Sequence, residues 1–141
     1  MPTARDIMSK DAECAHPNDS LVDVARKMRD LAVGALPICG SDNKLQGMIT
    51  DRDIVTNCVA NGGDPNNIMV EEYAAGEAIT IGADDSVEEA LRTMTEHGVR
   101  RLPVIDGHEL VGIVSQADVA RHLSTDQIGH LLEAISAAPA N

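Results

Sequence analysis

The sequence predicts a mixed fold, α+β or α/β in class, in which one β-α-β-β-α unit occurs twice with pseudo-two-fold symmetry. Three observations carry that expectation. The stretch Asp19-Ser20-Leu21-Val22-Asp23 recurs as Asp85-Ser86-Val87-Glu88-Glu89, 66 residues on from Ser20 to Ser86. At the same offset Met28 falls on Met94, and Leu36-Pro37-Ile38 falls on Leu102-Pro103-Val104. Gly47-Met48-Ile49-Thr50-Asp51-Arg52-Asp53 then matches Gly112-Ile113-Val114-Ser115-Gln116-Ala117-Asp118, 65 residues on from Asp53 to Asp118. The change of one residue falls between Gly40 and Lys44, against Asp106-Gly107-His108, among turn formers where a deletion costs least. A spacing kept through four landmarks marks an internal repeat.

Each copy reads the same way along the chain. A helical lead-in (residues 4–8, then 69–74) precedes a short strand (13–15, then 78–81). Asp-Ser opens a helix with apolar residues at helical spacing: Leu21, Val24, Ala25 and Met28, then Val87, Ala90, Leu91 and Met94. A strand follows (35–39, then 101–105), a polar turn, and a second strand (45–49, then 110–114). A last helix starts at Thr50 or Ser115. Asn61-Gly62-Gly63-Asp64-Pro65-Asn66-Asn67 punctuates the copies. The expected division is a first repeat over 1–60, a linker over 61–68, a second repeat over 69–124, and a C-terminal helix and tail over 125–141. The tail carries Ile128, Leu131, Leu132 and Ile135 at helical spacing and frays from residue 137.

Composition narrows the function classes. With 141 residues, 43% hydrophobic and 24% charged, the chain has room for one compact domain or two half-sized units. No apolar run approaches the roughly 20 residues that cross a bilayer, and residues 1–6 lack a secretory layout, so cytoplasmic residence is the default. A formal charge of −12 argues against extended contact with nucleic acid, though not against a small anionic ligand held by a few arginines and backbone N–H groups. Tyr73 is the one aromatic residue, so the core is aliphatic and a bound base would lie between aliphatic side chains. Cys14, Cys39 and Cys58 form neither a CxxC pair nor a dense disulfide framework; by spacing they read as small buried hydrophobes.

The pattern Ser/Thr-x-x-Asp/Glu opens four helices, at Ser20, Thr50, Ser86 and Ser115. It is the signature of a helix capping box and by itself reports only well-started helices. No general base, nucleophile or metal-water constellation points to catalysis, and the His and Asp residues form no triad.

The Asp-Ser helix opening, the Leu-Pro-Ile or Leu-Pro-Val strand and the two motifs Gly47 to Asp53 and Gly112 to Asp118 resemble the tandem CBS (cystathionine β-synthase) domain family over nearly the whole chain. More narrowly, Ala4-Arg5-Asp6-Ile7-Met8, Gly34-Ala35-Leu36-Pro37-Ile38-Cys39-Gly40, Thr50-Asp51-Arg52-Asp53-Ile54-Val55, Val99-Arg100-Arg101 and Ala120-Arg121-His122-Leu123 are similar to stand-alone CBS pairs of the actinobacterial hypoxic response. The resemblance implies a non-enzymatic regulatory or stress-response module, a homodimer shaped as a flat disc, and no membrane insertion. It further implies an adenosine ligand (AMP, ADP or ATP) in a cleft between the repeats. Asp53 and Asp118 would then accept from ribose hydroxyls, with Thr50 and Ser115 near phosphate and Arg52 adding charge. Ala117 stands where Arg52 does in the first copy, so the second site is poorer unless Arg100, Arg101 or Arg121 reaches in.

The same resemblance implies zinc at His97 and His122 and a Cys14–Cys39 disulfide. His97 is expected to end one helix and His122 to lie on another helix of the same sheet face. Two imidazoles make half of a tetrahedral shell, which water, an acid such as Glu96 or another subunit would complete. Cys14 and Cys39 fall on strands expected to be parallel neighbours, within reach if both point to one face. A bridge would be unusual in a reducing cytosol and would favour an oxidising or extracellular setting, reached without a signal peptide. Two readings stay open: an adenosine-sensing module, and a metal- and disulfide-stabilised dimer that acts through an unknown protein partner with no nucleotide.

Overall fold

The structure is a computed structural model that describes residues 2–10, 13–73 and 78–137. The end of the second expected lead-in, at Ala74, and the tail beyond 137 lie outside the described residues.

Helices begin where the sequence supplies a cap. Thr3 opens α1 (Ala4–Ile7), its N–H donating to Asp6 Oδ2 at 2.9 Å. Ser20 opens α2 (Leu21–Leu31), its hydroxyl accepting from the Asp23 N–H at 3.1 Å, and the helix ends at Ala32 in the left-handed region, φ 56°. β1 (Ala35–Cys39) and β2 (Leu45–Thr50) pair antiparallel, with Leu36 opposite Ile49 and Ile38 opposite Gly47. α3 (Asp51–Asp53) runs into a π-helical stretch, Ile54–Val59, marked by an Ala60 N–H that donates to the Val55 carbonyl five residues back at 2.9 Å. A 3₁₀ turn spans Val70–Tyr73.

The second repeat supplies β3 (Ile81–Gly82), α4 (Val87–His97) capped by Ser86, β4 (Arg101–Asp106), β5 (Glu109–Ser115) and α5 (Gln116–Ala120). α4 stops at Gly98, φ 62°, a conformation that only glycine adopts without steric cost. α6 (Thr125–Ala137) follows, so the amphipathic tail is a helix as its spacing predicts. The strand expected over 13–15 shrinks to one parallel bridge between Ala15 and Ile38, while its counterpart begins only at Ile81 and pairs parallel with β4. The sheets are therefore β1-β2 and β3-β4-β5.

The chain forms two compact units, and their starts do not coincide with the sequence repeats. One unit is drawn from within Met1–Ala12 and Ile79–Pro139, the other from within Glu13–Ala78. α1 is tied to the second repeat: the Ala4 N–H donates to the Asp85 carbonyl at 2.8 Å and Arg5 N–H to Ala83 at 2.9 Å. The turn Val70–Tyr73 is tied to the first repeat in the same way. There the Val70 N–H donates to Asp19 at 2.8 Å and Glu71 N–H to Pro17 at 3.1 Å. Each lead-in thus packs against the repeat it does not belong to in sequence.

Each unit has its own core. Leu21, Val24, Met28, Leu36, Ile38 and Ile49 anchor the first-repeat unit. Met94, Leu102, Val104, Val114, Leu131 and Ile135 anchor the second, the last two delivered by α6. Each such side chain stabilises by roughly 1.5–3 kcal/mol on burial. Among the described residues no helix is long and apolar enough to cross a membrane.

Candidate functional site

The motif of each repeat sits where an edge of its hairpin turns into a helix. Thr50 ends β2 opposite Ala35, with extended backbone (φ −115°, ψ 159°) that sets it as the cap of α3. Its hydroxyl accepts from the Asp53 N–H at 3.0 Å, and Asp53 Oδ2 accepts from the Thr50 N–H at 3.0 Å. The Asp51 N–H donates to the Gly34 carbonyl at 2.9 Å. A Cβ on Gly34 would stand 3.1 Å from Asp51 Oδ2, so the glycine leaves room for that carboxylate at the helix start.

The second motif has the same frame. Ser115 Oγ accepts from the Asp118 N–H at 3.2 Å and Asp118 Oδ2 accepts from the Ser115 N–H at 2.9 Å. The Gln116 N–H donates to the Arg100 carbonyl at 2.9 Å. At both motifs the structural role of the carboxylate is real, and one oxygen of each is committed to it. Ser20 and Ser86 also accept from the third residue of their helices, but the reciprocal half is absent there.

The two carboxylates differ in their second oxygen. Asp118 Oδ1 accepts from Arg121 Nη1 at 3.1 Å. Asp53 Oδ1 has no partner among the described residues, and neither does the exposed guanidinium of Arg52. Of the three arginines weighed for the second site, Arg121 is the one that reaches its motif. That contact holds the acid, and Ala117 adds no charge. Within the second motif the Gln116 side-chain oxygen is buried with no partner among the described residues.

Tyr73 is the residue that sequence reasoning passed over. It packs against the first-repeat core, and its phenol is pushed above its ordinary value by burial first, then by the charges of Cys58, Glu72 and Asp53. The lone ring therefore lies in the same unit as Asp53. Its position 66 residues after Ile7 on α1 was the available signal.

His97 is the last residue of α4 and His122 lies in the turn after α5; both are exposed, in the same unit. Among the described residues no three His, Cys, Asp or Glu side chains gather to hold a metal. The imidazoles suit zinc as donors, yet one chain offers two of the four ligands that a closed site needs. Cys14 and Cys39 stand with Cα atoms 5.7 Å apart and sulfurs within bonding distance, while Cys58 is buried and unbridged.

Comparison with known proteins gives a consistent picture. The CBS domain family matches residues 4–59 and again 70–125. The chain is 47% identical over 135 residues to hypoxic response protein 1 of Mycobacterium tuberculosis, covering 96% of this chain and 94% of that protein. It is 34% identical over 137 residues to the CBS domain-containing protein YhcV of Bacillus subtilis, covering 96% of each. Among solved structures, hypoxic response protein I with two coordinated zinc ions superposes with a TM-score of 0.80 at 48% identity, over 87% of this chain and all of that one. The CBS domain pair of protein MJ0100, in complex with 5′-methylthioadenosine and S-adenosyl-L-methionine, superposes with a TM-score of 0.75 at 29% identity, over 87% of this chain and 100% of that one.

Proposed function

Because the chain belongs to the CBS domain family, we propose that it is a non-enzymatic regulatory module of the stress-response kind that binds one adenosine nucleotide per chain, at the motif of the first repeat. The observation that carries this reading is that, among the described residues, neither Asp53 Oδ1 nor the guanidinium of Arg52, its neighbour in sequence, has a partner. A carboxylate oxygen keeps two acceptor positions, enough for a ribose hydroxyl pair, and the adjacent guanidinium suits a phosphate. At the second motif Arg121 already occupies the matching oxygen and Ala117 offers nothing to a phosphate. The relatives support the ligand class: MJ0100 is an adenosine-ligand complex at 29% identity.

Calorimetric titration of AMP, ADP, ATP and S-adenosylmethionine tests this. The expected result is a stoichiometry of one per chain for at least one ligand, lost in Asp53→Asn and Arg52→Ala and kept in Asp118→Asn. No heat with any of the four would overturn it.

A second reading rests on different residues. His97 and His122 would hold zinc, with water, Glu96 or a second copy completing the shell, and the Cys14–Cys39 pair would be oxidised, in a homodimer acting through a protein partner. The exposure of both imidazoles, the approach of the two sulfurs and the zinc ions of hypoxic response protein I support it. Native mass spectrometry of freshly purified protein reads dimer, zinc and nucleotide in one spectrum. A zinc-free monomer carrying nucleotide would favour the first reading alone.

A further inference from the structure

Superposing the repeats by register aligns Ala15 with Ile81, because Ala15 pairs with Ile38 and Ile81 with Val104. Pro17 then aligns with Ala83, Cys39 with Ile105 and Cys14 with Thr80. In the second repeat the parallel strand continues past its first pair, through an Ala83 N–H that donates to the Ile105 carbonyl at 2.8 Å. Pro17 has no N–H, so the equivalent bond to the Cys39 carbonyl cannot form. What remains is the Ala15 N–H to the Pro37 carbonyl at 2.8 Å and the Cys39 N–H to the Ala15 carbonyl at 2.9 Å.

Two devices found only in the first repeat stand at this weakened place. The sulfurs of Cys14 and Cys39 meet across it. The Lys27 ammonium, where the second repeat has Thr93, donates to the Cys14 carbonyl at 2.8 Å and lies 3.7 Å from Asp19 Oδ2. The His16 N–H turn onto Asp19 is shared, since the Gly82 N–H makes the same bond to Asp85 at the same 2.9 Å, and so does not distinguish the copies.

We propose that the Cys14–Cys39 pair is a redox latch on the first repeat: oxidised, it clamps the lead-in strand around Ala15 to β1; reduced, it lets that strand part from the sheet. The latch rests on the pair being oxidised, as in the second reading above, and is independent of any nucleotide or metal. A dithiol reductant supplies two electrons and two protons. Its thiolate attacks the half-buried Cys14 sulfur, the S–S bond breaks with Cys39 leaving as thiolate, and the second reductant thiol closes its own ring and returns Cys14 as thiol. Cys58 is buried and takes no part.

Alkylation of denatured protein before and after dithiothreitol counts the thiols, and hydrogen exchange by NMR reads the latch. Air-exposed protein is expected to show one free thiol and reduced protein three. On reduction the amides of Ala15 and Cys39 should exchange at least tenfold faster, while that of Ala83 is unchanged. The double variant Cys14→Ser with Cys39→Ser should exchange as the reduced protein does, with or without dithiothreitol. Pro17→Ala restores the missing donor and should cut the redox effect at Ala15 by several-fold. Three free thiols in air-exposed protein, or equal exchange at Ala15 in both redox states, overturns the proposal. Neither result bears on nucleotide binding, which the calorimetry reads separately.

Discussion

After near-identical starts, the motif helices of the two repeats part company. Both begin with a reciprocal capping box, Thr50 with Asp53 and Ser115 with Asp118. The first then runs through Val59 with π-helical bonding and leaves Val55 and Val59 more than half exposed, 58% and 57%. The second stops at Ala120, turns through Arg121 to Leu123, and hands over to α6, whose start is capped by Ser124 and Gln127 bonding each other's backbone N–H groups. α6 brings Leu131 and Ile135 into the core beside Met94. The turn after the second helix also supplies the arginine that engages Asp118. One local sequence, Arg121-His122-Leu123-Ser124, thus ends a helix, engages a carboxylate and begins a new wall. The first repeat keeps its carboxylate open because the matching position, three residues on from Asp53, is Thr56, whose hydroxyl donates to the Arg52 carbonyl at 2.8 Å. A shared motif fixes a frame; the residues just past the motif decide whether that frame can take a ligand.

That contrast can be broken by experiment, with the largest effect expected at Gly112. A Cβ there would come 2.5 Å from Met8 Sδ and 2.7 Å from the Ser9 carbonyl, on the segment that pairs with Ile113. Gly112→Val is expected to cost about 3 kcal/mol by overpacking and loss of that pairing, read by urea denaturation. A cost near zero would mean that the lead-in is not held against β5. Next, Ala83→Pro gives the second repeat the defect the first carries at Pro17. With no cysteine pair there to offset it, a loss of about 2 kcal/mol is expected in the same assay. Thr50→Ala and Ser115→Ala should each cost about 1 kcal/mol and by similar amounts, since both caps are reciprocal. Clearly unequal costs would break the equivalence of the two frames.

The smallest effect concerns Tyr73. As the one tyrosine in a chain without tryptophan, it can be followed alone by phenolate absorbance. Burial and nearby negative charge raise its folded value above the ordinary pKa of about 10, so the titration midpoint should exceed that value. With the folded pKa above the unfolded one, the phenol's contribution to stability is fully present below the unfolded pKa. It is lost as pH rises through the folded pKa. A midpoint at or below 10 would place the ring in water.

Much of this was legible in the sequence, for local reasons. Caps at Ser20, Thr50, Ser86 and Ser115, apolar spacing in α2 and α4, and the turn between Gly40 and Lys44 are set by residues within a few positions of one another. The repeat itself told the order of elements. The lead-in exchange was hidden because it pairs Arg5 with Ala83 and Val70 with Asp19, contacts that no periodicity encodes. The shortened strand near Ala15 was readable in hindsight from Pro17, whose missing donor only matters once its register is known. At the candidate site the sequence named both aspartates and ranked the second site poorer for its Ala117, but did not show that the two carboxylates differ in their second oxygen. That difference lies in where the Arg121 side chain reaches, and Tyr73 enters only because a distant segment folds back onto the first repeat.

The crossed lead-ins have a consequence for how the chain is made. Arg5 is synthesised well before its partners: the backbone bonds of α1 wait for about eighty further residues and the ion pair to Asp106, at 3.0 Å, for about a hundred. The first-repeat unit can close once the turn at Val70–Tyr73 has been synthesised, while the opening residues remain unmatched. Folding of the second unit then closes a loop that contains the whole first-repeat unit, a slow kind of contact. A chain halted after the first repeat would carry a finished unit with a stray leader. One begun at the second repeat would lack α1.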